Sequence, residues 1–256
     1  MELLQINNLV KIYEGKVSTP VLKGIHLSIQ KGEFVAVMGP SGSGKTTLLN
    51  MVATIDTPTS GEVLINGTSP HRLSKNKLAQ FRRRELGFVF QHFNLLNTLT
   101  VEENIVLPLT LEGMSVRKMQ QDARELSERL GISSIMNKRT YEISGGQMQR
   151  CAIARAIIHK PKLLLADEPT GNLDSKSSRD VMETLEAINK TDGTTMMMVT
   201  HDANAASYCD RVIFIKDGEL YNEIASAGNR KVLYQHIMDS LSMLGGDERE
   251  FSSVRV

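Results

Sequence analysis

Tryptophan is absent from the 256 residues, and cysteine occurs only twice, at Cys151 and Cys209. Neither cysteine belongs to a Cys-x-x-Cys pair. That excludes a disulfide scaffold and a thiolate zinc site and fits a reducing compartment. An excess of one charge is also missing: 30 Lys and Arg stand against 29 Asp and Glu, for a formal net charge of +1. Nothing global therefore points to a nucleic-acid partner. No apolar run approaches the ~20 residues that cross a bilayer. The N-terminus alternates apolar and polar residues where a secretory signal would carry an apolar block. The chain is expected to be soluble and cytoplasmic, so that any membrane role comes through a partner. No internal repeat or low-complexity segment stands out. Hydrophobic content of 41% and charged content of 23% are ordinary for a globular protein. The length suits one large domain or a domain with a smaller lobe.

What is present is a glycine-rich stretch, Gly39-Pro40-Ser41-Gly42-Ser43-Gly44-Lys45-Thr46. It runs Gly, four free positions, then Gly-Lys-Thr. The apolar run Phe34-Val35-Ala36-Val37-Met38 before it reads as a buried strand, and Thr47-Leu48-Leu49-Asn50-Met51-Val52 after it opens a helix. Strand, glycine loop and helix are the setting in which this pattern cradles phosphates. Glycines let backbone N–H groups converge on one point, and the helix N-terminus adds partial positive charge there. Lys45 then reaches the β- and γ-phosphates, and Thr46 holds Mg²⁺. A plain glycine turn with a surface lysine is the competing reading, which the flanking strand and helix disfavour.

Residues 3–13, 21–30 and 61–67 alternate as strands, the last closing on an Asn66-Gly67 turn. They predict a small antiparallel sheet beside the main one. Tyr13, near the end of the first strand, either stacks on adenine or is a half-buried strand tyrosine. Residues 78–86 read as a helix whose Arg82, Arg83 and Arg84 form a solvated face. Residues 87–91 read as a strand ending in Gln91, whose carboxamide either ligates Mg²⁺, orients a water or caps a turn. The apolar segment 92–96 beside it is either a docking surface or core. Thr100 and Glu103 form a capping box that starts a helix. Residues 115–130 form an amphipathic helix stopped by Gly131. Together these make a helical block of roughly sixty residues.

Ile143-Ser144-Gly145-Gly146-Gln147 lies at the mouth of a long helix read over 147–159. One hydroxyl and two close N–H groups there make a second anion site. Given the first loop, that outweighs an N-cap with two turn glycines. Cys151 within the helix reads as a small core residue. Residues 162–168 are a buried strand ending in Asp167 and Glu168. Neighbouring strand side chains face opposite ways, so the two acids divide the work. One binds Mg²⁺ and the other polarises a water. Two acids ending an apolar run are costly unless paired or metal-bound. Asn172-Leu173-Asp174 lies in a tight loop before a helix from Ser175. Residues 194–200 form another buried strand, and His201 at its end either bonds a γ-phosphate or is a satisfied loop histidine. His26, His71, His92, His159 and His236 carry no supporting context. Residues 211–220 form a hairpin with an Asp217-Gly218 turn. A last helix carries the stripe Leu233, Ile237, Leu241 and Leu244; Gly245-Gly246 ends it, and the final ten residues fray.

Taken together, these segments resemble the ATP-binding-cassette (ABC) ATPase subunits of transporters. Gly39–Thr46 resembles the Walker A loop, and Ser144-Gly145-Gly146-Gln147 the ABC signature, with Ile143 where leucine is commoner. Leu163–Asp167 followed by Glu168 resembles Walker B with its catalytic glutamate. Gln91 matches the Q-loop, Asn172-Leu173-Asp174 the D-loop and His201 the H-loop. The resemblance implies that Tyr13 stacks on adenine. It implies that Gly39, Pro40, Ser41, Gly42, Ser43, Gly44, Lys45, Thr46 and Thr47 bind ATP, with Ser144, Gly145, Gly146, Gln147 and Asp174 also at the nucleotide. It implies Mg²⁺ on Thr46, Gln91 and Asp167, and catalytic roles for Glu168, His201 and Gln91. A second copy of the chain completes each ATP site in such a head-to-tail dimer.

The implied fold is α/β: a P-loop NTPase (RecA-like) core with a mainly parallel sheet, an antiparallel β subdomain, and an α-helical subdomain carrying the signature. Residues 1–256 then form a single ABC ATPase domain. Residues 1–90 and 160–222 make the core and β subdomain, 91–159 the helical subdomain, and 223–256 a C-terminal helix and tail. Within the family, residues 86–96 and 103–109 resemble the branch serving macrolide export, lipoprotein release and peptide-antibiotic detoxification. Residues 97–100, 206–218 and 244–246 resemble the bacitracin-export type. That implies an integral-membrane permease partner, a site on the inner face of the cell membrane, and a sensor histidine kinase working through the permease. DNA-repair and chromosome-maintenance ATPases share the motifs but set long coiled coils between the first phosphate loop and the signature. Here that interval has no sustained heptads. Translation factors of this kind usually carry two cassettes per chain; this chain carries one.

Overall fold

The structure is a computed structural model that describes residues 1–15 and 17–244. The expected stop at Gly245-Gly246 and the fraying of the last ten residues lie outside the described residues. In chain order come strands β1 (Glu2–Tyr13), β2 (Thr19–Gln30) and β3 (Phe34–Met38), helix α1 (Lys45–Val52) and β4 (Ser60–Ile65). Helix α2 (Lys75–Glu85), β5 (Leu86–Val89), α3 (Val101–Leu111), α4 (Val116–Arg129) and α5 (Gly145–Ile157) follow. The chain continues through β6 (Leu163–Asp167), α6 (Ser175–Asp192), β7 (Thr195–Val199), α7 (Ala203–Ala206), β8 (Arg211–Lys216), β9 (Glu219–Ala225) and α8 (Arg230–Leu244).

Two sheets result. The 3-stranded sheet β2-β1-β4 is antiparallel, as the alternating segments predict. The 6-stranded sheet has the order β5-β6-β7-β3-β8-β9. Its first five strands run parallel, and β9 returns antiparallel to β8 through the Asp217-Gly218 turn. The parallel strands are apolar on both faces because both faces are covered. On β3, Phe34, Ala36 and Met38 enter the core shared with α3, α5, α6 and α8. Val35 and Val37 enter the other core, shared with α1 and the antiparallel sheet. β6, β7 and β8 divide their residues in the same alternating way.

The helical block packs α3 against both α4 and α5. Thr100 caps α3 as predicted: its hydroxyl accepts from the Glu103 N–H, and the Glu103 carboxylate accepts from the Thr100 N–H at 2.7 Å. The arginines on α2 are less idle than a solvated face. Arg82 donates to the Thr54 hydroxyl (2.7 Å) and to the Thr54 carbonyl, and Arg83 and Arg84 both pair with Glu112. Of the apolar segment after β5, Leu95 packs against the core while Leu96 stays 46% exposed. Cys151 is buried, and burial pushes its thiol up to about 12, as a core residue should show. Among the described residues, no helix is long and apolar enough to cross a membrane.

Candidate functional site

The strand order explains why residues far apart in sequence meet. β5, β6, β7 and β3 are neighbours and parallel, so their C-terminal ends share one edge. Gln91 follows β5, Asp167 and Glu168 end β6, His201 follows β7, and the Gly39–Gly44 loop follows β3. Such an edge is where open α/β sheets bind ligands. In the loop, a Cβ on Gly39 would lie 2.0 Å from the Ile215 carbonyl oxygen and 2.8 Å from Ser43 Oγ, so only glycine fits. Gly44 is the N-cap of α1 in the left-handed region, and no side chain caps that helix. The N–H groups of the first turn, Lys45, Thr46 and Thr47, have no intrahelical partner. Lys45 Nζ folds back to donate to the carbonyls of Gly39 and Pro40, each at 2.8 Å. Ser43 Oγ is buried without a partner.

Tyr13 stands on the β1–β2 hairpin, paired with Thr19. That hairpin reaches the Gly39–Gly44 loop, since a Cβ on Gly44 would lie 3.0 Å from the Val21 carbonyl oxygen. The Tyr13 ring is 42% exposed and covered by Lys11 Nζ 4.7 Å from its centroid. Its hydroxyl donates to Asp56 Oδ2 at 2.9 Å. Tyr13 is thus a half-buried tyrosine at the end of β1, oriented by Asp56 and with part of its ring accessible.

At β6 the structure corrects the expectation of two acids alternating on one strand. The strand stops at Asp167, and Glu168 has φ 44°, which swings it out of the pleat. Its N–H donates to the Val199 carbonyl at 2.9 Å. Its carboxylate accepts from His201 Nδ1 at 2.8 Å and from the Thr200 hydroxyl at 3.2 Å. Burial and the nearby Glu168 push the Asp167 carboxyl above the ordinary carboxylate range, with Lys45 offsetting part. Burial draws the Lys45 ammonium down, against the pull of Glu168 and Asp167. Gln91 lies against this acid loop: a Cβ on Gly171 would come within 2.9 Å of Gln91 Nε2. No group of three His, Cys, Asp or Glu that could hold a metal occurs among the described residues. A hydroxyl, a carboxamide oxygen and a carboxylate that burial disfavours as an anion fit a hard cation sharing its shell with phosphate and water.

The serine–glycine stretch lies on the helical block. Ser144 caps α5, its hydroxyl accepting from the Gln147 N–H at 3.4 Å while Gln147 Oε1 accepts from the Ser144 N–H at 3.0 Å. Gly145 and Gly146 form the first turn of α5, which therefore starts earlier than the expected Gln147. Their reason is proximity: a Cβ on Gly146 would meet Ser177 Oγ at 3.0 Å. Asp174 caps α6, accepting from the N–H groups of Lys176 and Ser177 and from the Ser177 hydroxyl at 2.6 Å. Those bonds hold the Asp174 carboxyl below the ordinary range. Among the described residues, no hydrogen bond joins Ser144 to the Gly39–Thr46 loop. Sequence reading missed Thr200, Gln149, Arg155 and the side chain of Asn172. Gln149 had a readable signal, being a polar residue three and four places before the apolar Ala152 and Ile153.

Comparison with known proteins agrees with this geometry. Residues 22–171 match the family described as ABC transporter. The chain is 61% identical over 254 residues to the ABC transporter ATP-binding protein YxdL of Bacillus subtilis, covering 99% of each. It is 46% identical over 252 residues to the bacitracin export ATP-binding protein BceA of Halalkalibacterium halodurans, covering 98% of this chain and 100% of that one. Among solved structures, it resembles the dimeric, post-hydrolysis ATP-binding cassette MJ0796 bound to ADP and Pi, a Methanocaldococcus jannaschii protein. There the TM-score is 0.81 at 41% identity, over 88% of this chain and 100% of that one. With likeness running nearly end to end and the strand edge assembled as described, the chain belongs to the ABC transporter family, as one of its ATP-binding, ATP-hydrolysing subunits.

Proposed function

We propose that two copies of this chain close head-to-tail on ATP, and that the closure drives a membrane permease clearing a peptide antibiotic of the bacitracin kind. One observation carries the two-copy reading. Lys45, Gln91, Glu168 and His201 gather on one sheet edge, while Ser144 caps a helix of a separate block with no bond to the Lys45 loop among the described residues. A second copy supplies what the first lacks. The dimeric cassette among the structural relatives supports the same arrangement.

In this reading Lys45 exchanges the Gly39 and Pro40 carbonyls for β- and γ-phosphate oxygens. The residues Gly39 to Thr47 wrap the phosphates, and Tyr13 stacks on adenine with the ring face that Lys11 leaves open. Thr46, Gln91 and Asp167 hold Mg²⁺, which when bound neutralises phosphate charge. Glu168 orients the attacking water and takes its proton, while His201, bonded to Glu168 through Nδ1, turns its other nitrogen to the γ-phosphate. The water oxygen bonds to the γ-phosphorus as the bond to the bridging oxygen breaks, leaving ADP and phosphate. Ser144, Gly145, Gly146 and Gln147 of the second copy close on the γ-phosphate, and Asp174 shapes the loop beside it. ATP favours closure because it binds the closed pair better than the open one. The exposed Leu96 region passes the motion to the permease on the inner face of the membrane, and a sensor histidine kinase acts through that permease.

The full-length likeness to a bacitracin-export subunit supports the substrate. Deleting the chain from its host should lower the bacitracin concentration that stops growth, leave macrolide tolerance unchanged, and not be rescued by Glu168→Gln. Loss of macrolide tolerance or of lipoprotein release, with bacitracin tolerance intact, overturns the substrate and leaves the ATPase standing.

A further inference from the structure

α5 carries two polar side chains that its apolar packing does not explain. Gln149 is fully buried, as are Ala152 and Ile153 after it. Its side-chain amide donates to the Pro169 carbonyl at 2.7 Å, one residue past Glu168. Its Oε1 is buried without a partner. A buried amide oxygen left unpaired is costly, so packing alone would favour an apolar residue here. Six residues along the same helix, Arg155 donates to the Asn94 carbonyl at 2.6 Å and to the Phe93 carbonyl at 2.9 Å. Phe93 and Asn94 have φ of 60° and 48°, in the turn directly after Gln91. Residues with side chains are rarely found there, and a forked pair of charge-assisted bonds can hold them. Glu168, before Pro169, is left-handed as well, at φ 44°. One helix therefore ties down two left-handed turns, one carrying Glu168 and the other following Gln91. Asn172 joins the two, donating to the Gln91 carbonyl at 3.0 Å. The N-cap of that same helix is Ser144.

We propose that Gln149 and Arg155 are positioning residues for hydrolysis. Through them α5 sets the backbone on which Glu168 and Gln91 stand, so nucleotide meeting Ser144 across the dimer is felt at the glutamate of Ser144's own subunit. This rests on the two-copy ATP site proposed above. Gln149→Met keeps the length of the side chain and removes the donor. Arg155→Met removes the fork, and Arg155→Lys keeps the charge with one donor point in place of two. In the full chain, Gln149→Met and Arg155→Met should each lower kcat by about tenfold to a hundredfold, the scale of a misplaced reacting group. ATP affinity, read by fluorescence titration, should stay within about twofold, because the Gly39–Thr47 loop is not touched. Amide hydrogen exchange should quicken over residues 167–174 in Gln149→Met and over 91–95 in Arg155→Met, and Arg155→Lys should recover part of the lost kcat. An unchanged kcat overturns the proposal, and so does a kcat that falls only in step with ATP-binding capacity. If Gln149→Met does not fold, the Arg155 pair is read by the same criteria. Pairing of Glu168→Gln chains with ATP separates the two readings. Pairing with an unchanged kcat in the α5 variants refutes the positioning role alone, and absence of pairing refutes the two-copy site beneath it.

Discussion

Asp167 carries its charge where the fold disfavours it. Burial comes first and the Glu168 carboxylate second in raising its pKa, and Lys45 offsets only part. A raised carboxyl pKa means that the folded chain holds the proton more tightly than the unfolded chain. Stability from this group is therefore fully present below its ordinary value of 3.8 and is lost as pH rises through the raised folded value. Asp167→Asn should raise Tm of the nucleotide-free chain at pH 7, since about 1 kcal/mol corresponds to about 2–4 °C in a domain of this size. The gain should shrink as pH is lowered. Thermal melts of both proteins across pH test this, and a lower Tm for Asp167→Asn at neutral pH contradicts it. ATP hydrolysis should be lost in the same variant, because the carboxylate that burial disfavours is the one proposed to hold Mg²⁺. Lys45 is the counterpart: burial lowers its pKa, and two backbone carbonyls accept from its ammonium in place of water.

α5 is the element on which the rest of the site turns. Its first turn presses on α6 so closely that a methyl on Gly146 would lie 3.0 Å from Ser177 Oγ, which Asp174 already holds at 2.6 Å. Gly146→Ala should therefore destabilise the chain by about 1–3 kcal/mol, as overpacking does; denaturant unfolding measures it, and an unchanged midpoint contradicts it. The strand–loop–helix of Phe34 to Val52 was legible in the sequence because its strand is apolar on both faces and its loop is glycine-rich. The Thr100–Glu103 box and the Asp217-Gly218 hairpin were legible for a similar reason: their physics is local. The left-handed Glu168 was not, because the Val199 carbonyl that receives its N–H lies on another strand. Nor were the partners of Gln149 and Arg155, since helical spacing marks a buried polar residue but does not say which distant carbonyl it meets. The need for glycine at Gly146 was not legible either, because what demands it is Ser177 on a neighbouring helix.

In the whole molecule, a six-stranded sheet lines up the C-terminal ends of its parallel strands on one edge, the antiparallel sheet carries Tyr13 at the end of β1, and Ser144 caps a helix of the helical block. The division leaves the Gly39–Thr46 loop and the Ser144 cap of α5 with no hydrogen bond between them among the described residues. Two chains facing each other would join them twice. Sedimentation velocity of Glu168→Gln, which should bind ATP without consuming it, separates the alternatives. With saturating ATP it should run as a pair of chains, and addition of Ser144→Arg should return it to single chains that still bind ATP. A Glu168→Gln chain that stays single with ATP bound, or a pair indifferent to Ser144→Arg, would contradict a nucleotide held between two copies.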